Sequence, residues 1–134
     1  MDYKVLDMEK YYRKDIYRHF TMDCKCSVMI TSKIDVSELV AYSKQTGTKF
    51  YINFLYVLTK ALNTRDDYKM RYLYQEDKLV VFDKINTAHY VFHEDTETFT
   101  VVYTEFSEDY QAFYDRCCTC LLYTSDAADD LIGV

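Results

Sequence analysis

The residues able to do chemistry are few. There are three histidines, His19, His89 and His93, and five cysteines that fall as Cys24 and Cys26 toward one end and Cys117, Cys118 and Cys120 toward the other. An odd cysteine count without an export signal argues against a disulfide framework. A zinc site would have to recruit His89 or His93, yet no Cys-x-x-Cys pair occurs, so no metal is expected and small buried thiols are the simpler reading. Cys24-Lys25-Cys26 puts both sulfurs on one side of an extended segment, facing a pocket or the core. His93 stands open as a candidate catalytic base, and His89 reads as a surface or strand-end residue. The chain has no Gly-rich phosphate loop, nucleophile elbow or paired-His signature, so local pattern alone assigns no catalytic motif.

Composition narrows the partners. The net charge of −6 opposes a phosphate-tracking surface, and no nucleic-acid partner is expected. No apolar run approaches the roughly 20 residues that cross a bilayer, and the first residues lack a signal-peptide core, so no membrane partner and a cytoplasmic location are expected. With no Pro and two Gly, the chain must turn on Asn, Asp, Ser and Lys.

The elements that must carry these side chains can be read from periodicity. Asp7 to Phe20 reads as an amphipathic helix capped by Asp7, with Tyr12, Ile16, Tyr17 and Phe20 on its inner face. Cys26 to Ile34 alternates as a half-buried strand. Asp35-Val36-Ser37-Glu38 is a capping box that opens a helix ending at Gly47. Tyr51 to Asn63, with Phe54, Leu55, Leu58, Ala61 and Leu62, reads as a helix buried on much of its circumference. A hairpin pairs Met70–Tyr74 with Lys78–Asp83, strands follow at Tyr90–His93 and Phe99–Glu105, and Ser107 caps a helix whose inner face is Tyr110, Phe113, Tyr114 and Cys117. This order predicts an α/β two-layer sandwich, a mixed sheet covered by helices.

Several runs together resemble one family. Arg13, Ile34-Asp35, Lys49-Phe50-Tyr51, Lys78-Leu79-Val80-Val81-Phe82-Asp83 and above all Val91-Phe92-His93-Glu94-Asp95-Thr96-Glu97-Thr98-Phe99-Thr100 are similar to the chloramphenicol acetyltransferase family, whose segment reads Val-Phe-His-x-x-Thr-Glu-Thr-Phe-Ser. The match is collinear from about Tyr3 to about Arg116. It implies a CoA-dependent acyltransferase-like fold, acetyl-CoA as co-substrate and a chloramphenicol-like small-molecule acceptor. It also implies a role in antibiotic resistance and a homotrimer with its active sites at subunit interfaces. By the same resemblance His19 and Phe20 take the places of an aromatic pair that contacts the acceptor, Cys24 and Cys26 line the pocket entry, and Phe99 and Val101 close it. Arg13 corresponds to the arginine that pairs with the Asp of a His-His-x-x-x-Asp-Gly motif, whose histidine is the general base. That motif is absent here, so the resemblance covers the amino-terminal half of the family's domain and assigns this chain no catalytic residue. Departures include His19 for an aromatic, Tyr11 and Phe82 for Trp, Ile52 for Pro, and a longer loop between Met70 and Leu79. The alternative is a non-catalytic small-molecule-binding or interaction domain of the same fold.

Residues 1–119 are therefore expected to be the family-like part. The run that begins Cys120-Leu121-Leu122-Tyr123-Thr124-Ser125-Asp126-Ala127-Ala128-Asp129 resembles instead a translated sequencing-library adapter, and 120–134 is expected to be extraneous. The parent nucleotide read should carry adapter sequence from the Cys120 codon onward; genomic coding sequence there would overturn that expectation.

Overall fold

A computed structural model describes residues 2–122 except Lys25 and Glu94, with the backbone alone at 120–122. The chain order is β1 (Tyr3–Val5), α1 (Lys14–Arg18), α2 (Ser37–Thr46), α3 (Phe50–Asn63), α4 (Asp66–Lys69), β2 (Met70–Leu73), β3 (Lys78–Phe82), β4 (Thr87–His93), β5 (Thr98–Thr104) and α5 (Tyr110–Leu122). The layered α/β architecture agrees with the sequence reading. The described ladders are all antiparallel and form two sheets, β1-β3-β2 and β4-β5, rather than one mixed sheet.

The first helix is shorter than its periodicity predicts. The Asp7 carboxylate accepts from the Glu9 N–H at 3.0 Å, and its carbonyl accepts from Lys10 at 3.1 Å, so Asp7 closes a turn instead of capping a helix. The helix begins only at Lys14 and then widens into a π-helical turn, His19–Asp23. A local competitor explains the widening: the Thr21 hydroxyl donates to the Tyr17 carbonyl at 2.7 Å, and the Cys24 N–H reaches His19 five residues back at 2.9 Å. Tyr12, Ile16 and Phe20, the expected inner face, are exposed. The expected strand at 26–34 does not form: these residues lie in no helix or strand and pair with no strand among the described residues.

Just before helix α2, Asp35 accepts from both the Ser37 N–H (2.9 Å) and the Ser37 hydroxyl (2.6 Å); the N-cap itself is Val36, without a side-chain cap, so the expected capping box does not form. The helix ends at Gly47, whose φ of +67° is a conformation that side chains with a Cβ adopt only under strain. Helix α3 buries Ile52, Asn53 and Thr59, whereas Leu58 and Ala61 are exposed, so its buried face is narrower than the stripe of apolar residues suggests. Ile52 is fully buried with Val91, Val102, Phe106, Phe113 and Cys117.

Tyrosine hydroxyls and amides do the joining that the scarce turn residues leave undone. Asn53 Nδ2 donates to Ser43 Oγ and Thr48 Oγ1, both at 2.8 Å, while Asn53 Oδ1 accepts from Tyr110 Oη at 2.6 Å, tying α2, α3 and α5 to one amide. Tyr114 Oη accepts from the Lys49 N–H at 2.8 Å, and Tyr56 Oη donates to the Glu108 carbonyl at 2.7 Å. Asn63 clasps the loop before β4, exchanging bonds with the Ile85 N–H (2.7 Å) and carbonyl (3.0 Å).

The two hairpins follow the expected pattern. Asp77, at φ +53°, ends the β2–β3 turn, where Tyr72 Oη contacts its carboxylate, and Glu97, at φ +51°, ends the β4–β5 turn. Helix α5 is capped by Asp109, which accepts from Gln111 and Ala112 at 2.9 and 3.2 Å, and Ser107 supports the cap by accepting from the Asp109 N–H. Phe113 and Cys117 are buried, with Tyr110 and Tyr114 half-buried beside them, as the helical spacing predicts. The backbone of α5 continues through 120–122, and 123–134 lies outside the described residues.

Replacing Asn53 with Ala takes one partner from each of three hydroxyls and opens a void, and should cost roughly 3 kcal/mol. Urea unfolding by circular dichroism should show this against Gln111→Ala as a surface control; equal midpoints for the two variants would refute the role of the amide.

Candidate functional site

The expected site residues fall into two groups. One is built by the π-helical turn, which sets the His19 and Phe20 rings edge to face at 5.1 Å and lets His19 Nδ1 approach Asp23 Oδ2 at 3.3 Å. Cys24 ends this turn with helical rather than extended backbone angles; Cys24 and Cys26 are both exposed thiols, and Lys25 lies outside the described residues. Arg13, just before α1, lies over the Tyr12 ring at 5.4 Å. Its charge also reaches Asp67, whose carboxyl is held below its ordinary range first by the hydrogen bond from Arg65 and then, more weakly, by Arg13.

The second group lies on the open face of β4–β5. Register places Phe99 opposite Phe92 and Val101 opposite Tyr90, and the Tyr90 and Phe99 rings meet edge to face at 5.1 Å. Tyr90, Phe92, Phe99 and Tyr103 are exposed, so Phe99 and Val101 belong to an aromatic face rather than to the core. Among the described residues, no hydrogen bond or ring contact joins this face to the His19–Phe20 turn. Both groups offer aromatic and apolar surface, chemistry suited to holding an aromatic or apolar ligand by stacking and burial rather than to transferring a proton.

The opposite face of β4 holds what the sequence reading misplaced. His89 is buried at 5 % exposure instead of lying at the surface, and the Tyr51 ring meets it edge-on at 5.8 Å. Among the described residues neither ring nitrogen has a hydrogen-bond partner, and the same holds for the buried Thr104 hydroxyl. The signal was present in the alternation, since His89 is in phase with Thr87 and Val91, which face inward. Burial lowers the His89 pKa from its ordinary value and raises that of Tyr51, with the Cys117 thiol adding to the rise. Burial also pushes the Tyr110 phenol up to about 12, which keeps it a proton donor to Asn53. His93, at the end of β4, shares a 2.8 Å hydrogen bond with Thr100.

A cleft of about 460 Å³ opens elsewhere, lined in part by Asn63, Lys84, Glu105 and Arg116. Its charges are largely spent on one another: Lys84 contacts one Glu105 oxygen, and Arg116 approaches the other at 3.6 Å. Among the described residues, no group of three His, Cys, Asp or Glu is placed to hold a metal ion.

The layered fold is shared with a solved acetyltransferase. A chloramphenicol acetyltransferase structure superposes with a TM-score of 0.84 at 19 % identity, covering 96 % of this chain and 59 % of that one. The sequence model of that family, described as chloramphenicol acetyltransferase, matches residues 1–127, and the chain belongs to this family. Among named relatives, the chloramphenicol acetyltransferases of Clostridium perfringens and Campylobacter coli are 30 % and 31 % identical over 85 % and 84 % of this chain, and 52 % of each relative is matched. The Klebsiella protein of the same name is 26 % identical over 94 % of this chain and 54 % of its own length. The chain thus spans about half the length of the curated relatives it matches. No helix among the described residues is long and apolar enough to cross a membrane.

The buried histidine predicts an acid-sensitive fold. Its folded-state pKa lies below that of the unfolded chain, so unfolding takes up a proton and stability falls as pH drops through the unfolded value near 6.5 toward the lower folded value. His89→Phe should flatten the dependence of the urea midpoint on pH across that window; an unchanged slope would assign the acid sensitivity to other groups.

Proposed function

We propose that this chain is the amino-terminal part of an acetyl-CoA-dependent O-acetyltransferase whose acceptor is a hydroxyl of chloramphenicol or a related small molecule, acting in the cytoplasm as an antibiotic-resistance enzyme. The observation that carries the reading is the segment from Val91 to Thr100, which forms the β4–β5 hairpin and presents Phe99 and Val101 on an open aromatic face within a chain of this family. His19 and Phe20 are assigned to the acceptor pocket, with Cys24 and Cys26 at its entry and Phe99 and Val101 closing it. An exposed ring pair and an exposed aromatic sheet face are consistent surfaces for that purpose.

In the reaction, the acceptor oxygen attacks the acetyl carbonyl of the thioester while a general base takes its proton. The tetrahedral intermediate collapses, expelling the CoA thiolate, which is reprotonated. The three histidines of this chain occupy separate positions, none in a His-His pair, and the base is assigned to the family's remaining half. Arg13 is a positioning residue that would orient the Asp of that half's motif, and metal chemistry has no part in the scheme. The homotrimer of the family is assigned to the complete domain. Residues 120–134 are taken as extraneous to it.

Two measurements test this. The 134-residue chain given acetyl-CoA and chloramphenicol should release no free thiol above background, and the untruncated parent gene should encode His-His-x-x-x-Asp-Gly downstream. Turnover by the chain alone would refute its lack of a base, and a parent frame ending near Arg116 would favour a non-catalytic binding domain.

A further inference from the structure

The seam between the β4–β5 hairpin and the helices holds a titratable group that acetyl transfer does not use. His89 faces inward from β4 opposite Val102 on β5, buried at 5 % exposure, and neither of its ring nitrogens has a hydrogen-bond partner among the described residues. The Thr104 hydroxyl, two residues further along β5 and 2 % exposed, is equally unpartnered there. From α3 the Tyr51 ring meets His89 edge-on at 5.8 Å. From α5 the Cys117 thiol comes close enough to Tyr51 to add to the rise of its phenol, second to burial. Cys117 is fully buried in one cluster with Val102, opposite His89, and Val91, the next inward residue of β4.

We propose that His89 is an acid-operated latch on a modification site: when its ring takes up a proton, the hairpin parts locally from α3 and α5, and the Cys117 thiol becomes open to small disulfides. An imidazolium in this seam would have two N–H donors and no acceptor, and burying an unpaired charge costs far more than burying the neutral ring. The titratable groups packed at the seam are Tyr51 and Tyr56 on α3 and Tyr114, Cys117 and Cys118 on α5, while β5 faces His89 with Val102 and Thr104, which do not ionise. Phenols and thiols are neutral in acid, so none of them supplies a compensating charge. Burial is accordingly what lowers the pKa of the ring. Opening restores the ordinary value near 6.5, so acid below that value favours the open form. Once open, the Cys117 thiolate attacks one sulfur of a disulfide; a mixed disulfide forms, and the other half leaves as a thiolate that takes up the proton Cys117 gave. The latch does not depend on the acetyltransferase reading.

The test treats the full 134-residue chain, carrying Cys118→Ser and Cys120→Ser to remove the neighbouring thiols, with 4,4′-dithiodipyridine at about pH 7.5 and about pH 5.5, and maps the adducts by mass spectrometry. Cys24, an exposed thiol, is the internal reference. The rate at Cys117 relative to Cys24 should rise on acidification, by up to about tenfold one pH unit below the ordinary histidine value, with the far-ultraviolet circular dichroism unchanged. His89→Phe should hold the ratio flat. His89→Gln, which cannot take up a proton either, gives the same readout where the phenylalanine variant fails to fold. A ratio that does not rise, a rise that survives loss of the imidazole, or labelling of Cys117 only as the circular dichroism is lost would overturn the proposal.

Discussion

One buried amide organises the helical layer. Asn53 sits 1 % exposed where α2, α3 and α5 converge, and three of its four hydrogen-bonding positions are filled by Ser43, Thr48 and Tyr110. The hydroxyls around it are directed, since Ser43 donates onward to the Leu39 carbonyl, and Thr46, beside Thr48, to that of Tyr42. A polar group in such a place is tolerable only when its partners hold good geometry, so the network restricts how the three helices can meet. The neighbouring residue Ile52 then enters the core formed with β4, β5 and α5, and the hairpin is seated against helices whose relative placement is already settled.

The molecule is consequently two-faced. Toward the helices, β4 and β5 present Thr87, His89, Val91, Val102 and Thr104, packed to near-zero exposure; away from them they present tyrosine and phenylalanine to solvent. The buried side holds a histidine whose ring nitrogens have no hydrogen-bond partner among the described residues, a cost in stability, with the Tyr51 ring edge-on to it. The exposed side gains nothing from being aromatic unless something covers it.

Much of this was legible before any coordinate. The β2–β3 and β4–β5 hairpins, Gly47 as the end of α2 and the inner face of α5 follow from alternation, turn chemistry and helical spacing, which are local properties of the chain. So was the family, because the run from Val91 to Thr100 is specific residue by residue. The misreadings share one cause, which is that periodicity shows which side of an element is apolar but not whether anything lies against it. Tyr12, Ile16 and Phe20 have helical spacing, yet Asp7 spends its carboxylate on a turn and Thr21 draws the Tyr17 carbonyl out of the regular pattern. Cys26 to Ile34 alternates as a strand should, and no described strand meets it.

By itself the sequence determined the family, the hairpins and the set of aromatic residues available for a pocket, because each depends on neighbours along the chain. Only the tertiary structure decided that Asn53 is the junction of three helices, that His89 is buried, and that Phe99 and Val101 look outward. Those facts depend on residues dozens of positions apart, such as Asn53 and Tyr110, meeting in space. Burial is a property of the pair and not of either partner, so alternation could phase His89 with Thr87 and Val91 but not show what covers that side.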